Sequence, residues 1–480
     1  MKDFGIIYLN DKCITIDSKG NRYKKFKSII TNEEYEVKTK RTELIQTYCV
    51  VNYNDKTILE YCDNINEDYN LILEKLGLLN WSMKFDKNFK SELDAYLTDF
   101  TPDRKSFKNG IISVDPEGCR DIDDAISIVE GFSDYEIHIH ISDPSSYIPI
   151  NSPLDNEIKN RNSSLYLSKV FHMMPEILST DIISLIEGKE RRAYTCIITI
   201  PNKYRDTYIE DIIINLDDIN FKFEKSTIVV DRNMSYEQFT SEINHNEYYK
   251  KLYDIGFNLY KSLHLEGDYD SHKMIEVYMI LCNICASYKC KIKRATINDS
   301  DSIYNSITEY VLEEKEHKLI GFQYTHFTSP IRRYVDMIVH RLIHDPASYT
   351  DSELINLIQN INKKNKILKK VYNIYNLINL MGDYNEINIE ATIVYIDKNN
   401  IKLICDNKIL NLYIDMRLIN NHIINIEYDK ESIKIIYNRN EKIYKINDIV
   451  ELKIYFLKNE INPFKIVLSD TYIDLGQNSI

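Results

Sequence analysis

The segment SVDPEGCRDIDDAISI sets Asp115, Asp121, Asp123 and Asp124, with Glu117 among them, between two apolar runs, IISV before and AISIV after. Strands that enter a core on both sides of four carboxylates leave few folds open, because like charges crowded beside apolar packing are costly unless something neutralises them. A hard divalent cation is the natural countercharge. Magnesium takes oxygen ligands and keeps part of its shell for water and phosphate oxygens, which suits a loop rich in carboxylates. Pro116 and Gly118 make the run a tight turn, so Asp115 is expected to fold back toward Asp121, Asp123 and Asp124. An EF-hand loop is excluded by spacing, since a start at Asp121 would put Ile126 at the glycine position. A merely solvated acidic loop is the competing reading, and the two flanking strands argue against it.

A second segment, YTHFTSPIRRYVDMIVHRLIH, predicts an amphipathic helix that begins at Pro330, with Ile331, Val335, Ile338 and Leu342 on one face. Arg332 and Arg333 would then occupy its first turn, where free N–H groups and the positive end of the dipole favour a phosphate. The bland alternative is an exposed ion pair between Arg332 and Asp336, worth about 0.3–0.5 kcal/mol. Together the two segments offer a metal-ready carboxylate set and a phosphate clamp, the minimum for phosphodiester hydrolysis by metal-activated water.

The texture of the chain changes three times. Residues 1–66 alternate short Ile/Val/Tyr runs with polar turns, as in a small OB-like barrel, and 67–109 read as one short helix followed by a polar connector. Residues 110–381 mix strands with long helical periods and predict one α+β domain that ends in a helix over 352–381. Residues 382–480 return to short strands, and about five of them fit a C-terminal OB barrel, although a small sandwich would give the same string. Barrels of that type beside a hydrolytic centre point to a nucleic-acid polymer as substrate. Yet Lys and Arg total 60 against 73 Asp and Glu, a formal charge of −13, so any such binding needs a local basic groove. The nine cysteines lack the spacing of a zinc ribbon or a disulfide framework, and Cys282, Cys285 and Cys290 fall in an apolar helical run. They read as reduced thiols. Neither a signal peptide nor a membrane-spanning stretch is evident, which predicts an intracellular protein away from membranes.

DPEGCRDIDDA and YTHFTSPIRRYVDMIVHRL together resemble the two signature motifs of the RNB ribonuclease family, which includes RNase II, RNase R and the hydrolytic subunit of the eukaryotic exosome. HIHISDPSSYI, LDNEIKNRNSSLYLS, HMMPEILSTDIISL, RNMSYEQF and MIEVYMILCN follow the family in order, so the likeness covers roughly residues 110–345. The resemblance implies a central RNB catalytic domain flanked by OB-like barrels. It also implies a magnesium-dependent, processive 3′→5′ exoribonuclease that releases 5′-mononucleotides from single-stranded RNA. The family's four motif aspartates surround its magnesium, which assigns Asp115, Asp121, Asp123 and Asp124 to the metal, with Asp123 and Asp124 also catalytic. Arg332 matches the arginine that assists the scissile phosphate, and Arg333 beside it is expected on the RNA. Tyr166 and Tyr236 match aromatics that stack on terminal bases, although composition alone would place both in the core. The expected state is a monomer with no partner chain. The competing reading is an RNB-fold regulator that binds RNA but cuts it weakly or not at all.

Overall fold

The computed structural model describes residues 2–10, 16–43, 46–62, 69–79, 81, 85, 104–131, 134–201, 220–298, 307–382, 384–397, 400–405, 410–415, 423–429, 432–437, 441–456 and 464–469. The chain divides into two compact units, one holding Met1–Asn80 and Asn365–Ile480, the other Trp81–Asp299 and Ser306–Lys364.

The first unit opens with β1 (Lys2–Tyr8), β2 (Arg22–Ser28), β3 (Glu34–Thr39), β4 (Gln46–Asn52) and β5 (Thr57–Tyr61), closed into a barrel in the order β1-β2-β3-β5-β4. Its alternating sequence turns Ile7, Phe26, Val37, Cys49 and Val51 into a small core. A helix, α1 (Tyr69–Gly77), follows.

The second unit is built on a seven-stranded sheet. Its strands are β6 (Lys105–Phe107), β7 (Ile112–Asp115), β8 (Asp124–Glu130), β9 (Asp134–Ser142), β12 (Glu190–Pro201), β13 (Asn220–Val229) and β14 (Arg232–Ser235), in the order β14-β7-β8-β9-β12-β13-β6. The connector expected over 67–109 therefore supplies a strand. Lys105–Phe107 pairs parallel to β13, and Arg104 is buried on Asp143 at 2.7 Å while donating to the carbonyls of Ala193 and Ser226. A polar string of letters concealed these contacts because every partner lies far along the chain.

Between β9 and β12 come α2 (Pro153–Arg161) and a two-residue hairpin, β10 (Leu165–Tyr166) with β11 (Val170–Phe171). After β14 come α3 (Tyr236–Glu242), α4 (Glu247–Ser262) and α5 (Ser271–Ser287). Ser235 caps α3 in a reciprocal capping box with Gln238, which fixes Tyr236 as the first helical residue. Nearly every residue of α5 from Met274 onward is buried, as expected for a helix apolar on all sides. Two short hairpins, β15 (Lys293–Thr296) with β16 (Thr308–Val311) and β17 (Glu316–His317) with β18 (Phe322–Gln323), lead to α6 (Tyr334–His344) and α7 (Asp351–Met381). The division between the units falls inside α7, whereas the sequence reading ran the central domain to 381.

The helix expected from Pro330 begins at Tyr334, with Arg333 as its cap residue in extended conformation. Both arginines thus precede the helix. The amides that a first turn would leave free are already taken: Ser329 N donates to Asp336 Oδ1 at 2.8 Å and Ile331 N to Asp123 Oδ1 at 2.8 Å.

The C-terminal part has more strands than the five expected. A five-stranded sheet holds β19 (Glu386–Ile396), β20 (Asn400–Cys405), β21 (Asn411–Asp415), β25 (Ile449–Phe456) and β26 (Phe464–Leu468) in the order β21-β20-β19-β25-β26. A meander of β22 (Ile423–Asp429), β23 (Ser432–Tyr437) and β24 (Glu441–Lys445) adds three strands that share its core through Ile433, Ile435 and Tyr444.

Candidate active site

The four aspartates reach one place by different routes. Asp115 ends β7, and the parallel register of β7 with β14 sets it opposite Ser235, so Tyr236 at the start of α3 stands next to it. The turn after Asp115 closes with Cys119 N on Pro116 O at 3.0 Å, and Gly118 occupies the left-handed region at φ +78°, where a side chain would be strained. Ser184 then pins the loop, donating to Arg120 O at 2.8 Å and accepting from Ile122 N at 3.0 Å. Asp124 opens β8 and Asp123 immediately precedes it, with Asp123 O accepting from Ser142 N of the neighbouring strand.

All four line a single cavity of about 680 Å³ together with Cys119, Tyr166, Tyr236, Arg332 and Arg333. Asp123 is 4% exposed. Besides the bond from Ile331 N, its Oδ2 lies 3.4 Å from Arg332 Nε, and Arg332 Nη2 donates to Ser329 Oγ at 3.0 Å. The surface pairing weighed for Arg332 with Asp336 does not form. Arg333 takes that partner instead, Nη2 to Oδ1 at 2.9 Å, with Asp336 fully buried. Arg333, expected on RNA, is therefore tied to the fold while still lining the cavity. Tyr236 is half-buried with its ring centroid 5.0 Å from that of His272, and the Tyr166 hydroxyl donates to Asp121 Oδ2 at 2.8 Å. Neither tyrosine is a closed core residue.

The opposite wall was not legible from the motifs. Glu276 and Met279 of α5 face the cavity with His272, His317, Tyr324 and His326. Asn283 braces this wall, donating to Tyr324 Oη at 2.9 Å and accepting from Phe327 N at 2.8 Å. Its one detectable signal was an amide side chain inside the apolar run MILCNIC. Burial holds the His317 imidazole down to about 4 and that of His326 well below its ordinary value, so both present neutral rings. The thiol grouping also differs from the sequence: Cys282 and Cys285 meet Cys196 of β12 in the core, where burial raises Cys196 and Cys282 above the ordinary thiol value and the hydrogen bond with Cys196, with burial, raises Cys285.

The carboxylates are poorly compensated. Asp115 Oδ2 and Asp123 Oδ2 are buried without a hydrogen-bond donor. Burial pushes Asp115 up to about 6 and Asp123 up to about 7, and raises Asp124 well above the carboxylate range, with repulsion from Asp121 and Asp115 adding to it. The aspartates share the cavity but do not close to ligand spacing: among the described residues no group of three or more His, Cys, Asp or Glu side chains is placed to hold a metal ion. An all-oxygen donor set with two orphaned buried oxygens fits a hard divalent cation, which would draw the carboxylates together.

A stability prediction follows from these values. Between about pH 4 and pH 7 the folded protein keeps protons on Asp115 and Asp123 that the unfolded chain has released, so their contribution to stability falls as pH rises through this window. In chelator, the melting temperature of the protein minus that of Asp123→Asn should fall from about pH 5 to about pH 7.5, and magnesium at the upper pH should restore it. A difference that is flat or rises contradicts the burial of a charged Asp123.

The family model described as "RNB domain" matches residues 104–265 and 300–349. The chain carries an RNB domain. Curated relatives of this RNB protein include Ribonuclease R 2 of Lactococcus lactis, 23% identical over 482 residues that cover 80% of this chain and 72% of the relative. Ribonuclease R of Chlamydia trachomatis is 25% identical over 58% of this chain and 51% of its own, and exosome complex exonuclease dis3 of Schizosaccharomyces pombe is 23% identical over 60% and 39%. Beyond the first, the matched stretch spans about half or less of these relatives. Among solved structures, apo Mycoplasma genitalium RNase R aligns with TM-score 0.69 at 19% identity, over 97% of this chain and 89% of that one. A yeast pseudonuclease aligns at 0.63 and 13% identity, over 91% and 68%. The likeness in fold to solved RNase R thus extends beyond the matched RNB residues to 97% of this chain, and no helix among the described residues is long and apolar enough to cross a membrane.

Proposed function

We propose that this RNB protein is a magnesium-dependent 3′→5′ exoribonuclease that processively hydrolyses single-stranded RNA to 5′-mononucleotides and acts as a monomer. One observation carries this reading: Asp115, Asp121, Asp123, Asp124 and Arg332 line one cavity, with Asp123 Oδ2 undonated and facing the arginine. When bound, a divalent cation supplies Lewis-acid charge at the scissile phosphate and lowers the pKa of water. Asp115, Asp121, Asp123 and Asp124 would hold it. Arg332, half-exposed at the cavity edge, is placed to steady the phosphate as charge builds on its oxygens. Tyr166 and Tyr236 offer ring faces to the bases nearest the 3′ end, a contact that tolerates any sequence. Relatives named Ribonuclease R and a neighbour titled as RNase R with ribose-methylated single-stranded RNA support the substrate class.

The second reading, an RNA-binding protein that does not cut, is favoured by one specific observation, the fold's likeness to a pseudonuclease. Fold alone does not decide activity. Incubation with 5′-labelled and 3′-labelled single-stranded RNA, with and without magnesium, separates the two. Magnesium-dependent release of labelled mononucleotide from the 3′ end at once, with a 5′-labelled strand shortening to a small residue, is expected. Intact strands that remain bound would establish the regulator.

A further inference from the structure

The hairpin that carries Tyr166 is fastened to the arginine segment. Ser164 N donates to Arg332 O at 3.0 Å, Tyr334 N donates to Asn162 O at 2.8 Å, and Ser163 forms a bridge with Arg333. Met173 N donates to Ser164 Oγ at 2.9 Å, and Leu165 is fully buried, so the backbone on both sides of Tyr166 is held. Asn162, in the left-handed region at φ 72°, turns the chain from α2 into this contact. The Tyr166 side chain is thereby a fixed arm: its ring is 36% exposed at the cavity, and its hydroxyl donates to Asp121 Oδ2 at 2.8 Å. The other oxygen, Oδ1, accepts a long hydrogen bond from the Cys119 thiol at 3.9 Å.

We infer that Tyr166 is a positioning residue for Asp121, its hydroxyl orienting that carboxylate toward the cation and its ring linking cation binding to occupancy of the 3′ end. The short hydroxyl bond to Oδ2 fixes the plane of the carboxylate, so that Oδ1, which among the described residues otherwise accepts only the long thiol contact, is presented to a metal at a defined place; loss of such outer partners typically weakens metal binding 10–100-fold. The same rigid arm meets the terminal base, so a strand that settles the ring also settles Asp121. Thermodynamic linkage then requires the cation to tighten the strand by the same factor. The inference rests on the metal reading of the four aspartates.

Manganese serves as the probe, with free ion followed by electron paramagnetic resonance in the presence and absence of a cleavage-resistant single-stranded RNA. Tyr166→Phe keeps the ring and removes only the hydroxyl. It should weaken manganese binding about tenfold, at the low end of that range, and abolish the tightening by RNA, while the shortest product of digestion stays the same. Tyr166→Ala should lose the same metal affinity and also lengthen the shortest product. Melting temperatures measured alongside identify a hydroxyl that merely supports the fold, which would lower stability without moving manganese affinity. Asp121→Asn is the control: if it weakens manganese binding and Tyr166→Phe does not, the positioning role is wrong and the metal site stands. If neither changes manganese affinity, the metal reading falls and the inference with it.

Discussion

Asp123→Asn should abolish cleavage of single-stranded RNA and at the same time leave the metal-free protein more stable above about pH 7. The two effects have one cause. Asp123 is 4% exposed, its Oδ2 lacks a donor, and burial holds its carboxyl up to about 7, so ionising it in the fold is unfavourable unless a cation is present. Asparagine keeps an oxygen for the Ile331 amide and removes the charge. Loss of turnover should exceed the roughly 10²–10³-fold typical of deleting one preorganised electrostatic contact, because the charge that holds the cation goes with it. Single-turnover cleavage in magnesium and thermal melts in chelator measure the pair. Near-normal cleavage by Asp123→Asn refutes the assignment of the site, and a less stable variant refutes the account of the buried charge.

Arg332→Ala should lower kcat about 10²–10³-fold, roughly 3–4 kcal/mol, with little change in RNA affinity. Among the described residues its guanidinium pairs with Asp123 and donates to Ser329, and it stands half-exposed at the cavity edge, so it is available to a phosphate. Lysine retains the charge without the planar fork and should recover only part of the rate. Parallel measurements of kcat and Kd decide the matter. A loss confined to affinity would make Arg332 an ordinary strand-binding residue.

The parts of the fold that are local in sequence were legible, and the parts that depend on distant partners were not. HIHIS alternates and becomes β9, and the mainly apolar run after Met274 becomes the buried helix α5, because both patterns are local to their elements. The start of the arginine helix was misplaced for the opposite reason. Pro330 and the apolar spacing favour a helix there, but the Ile331 amide goes to a carboxylate 208 residues away, and no local pattern contains that partner. Arg333 lines the cavity as expected of a strand-binding residue, and it also pairs with Asp336 three residues on, whose complete burial the local spacing does not announce. Asp115, Asp121, Asp123 and Asp124 were visible as a cluster, whereas the wall formed by Glu276, His317 and His326 comes from residues that carry no signature on their own.

The bond between Ile331 and Asp123 has a further consequence, in the order of events as the chain is made. Each doubling of an intervening loop adds only about 0.6 kcal/mol to its closure, so a separation of 208 residues bears on timing far more than on final stability. A ribosome finishes β7, β8 and the aspartate turn long before it reaches Ser329, and during that interval Asp123 has neither its amide partner nor its arginine. The two halves of the site are thus delivered at opposite ends of the same domain, and a nascent chain carrying only the first half has no assembled centre with which to meet the messenger still being read beneath it.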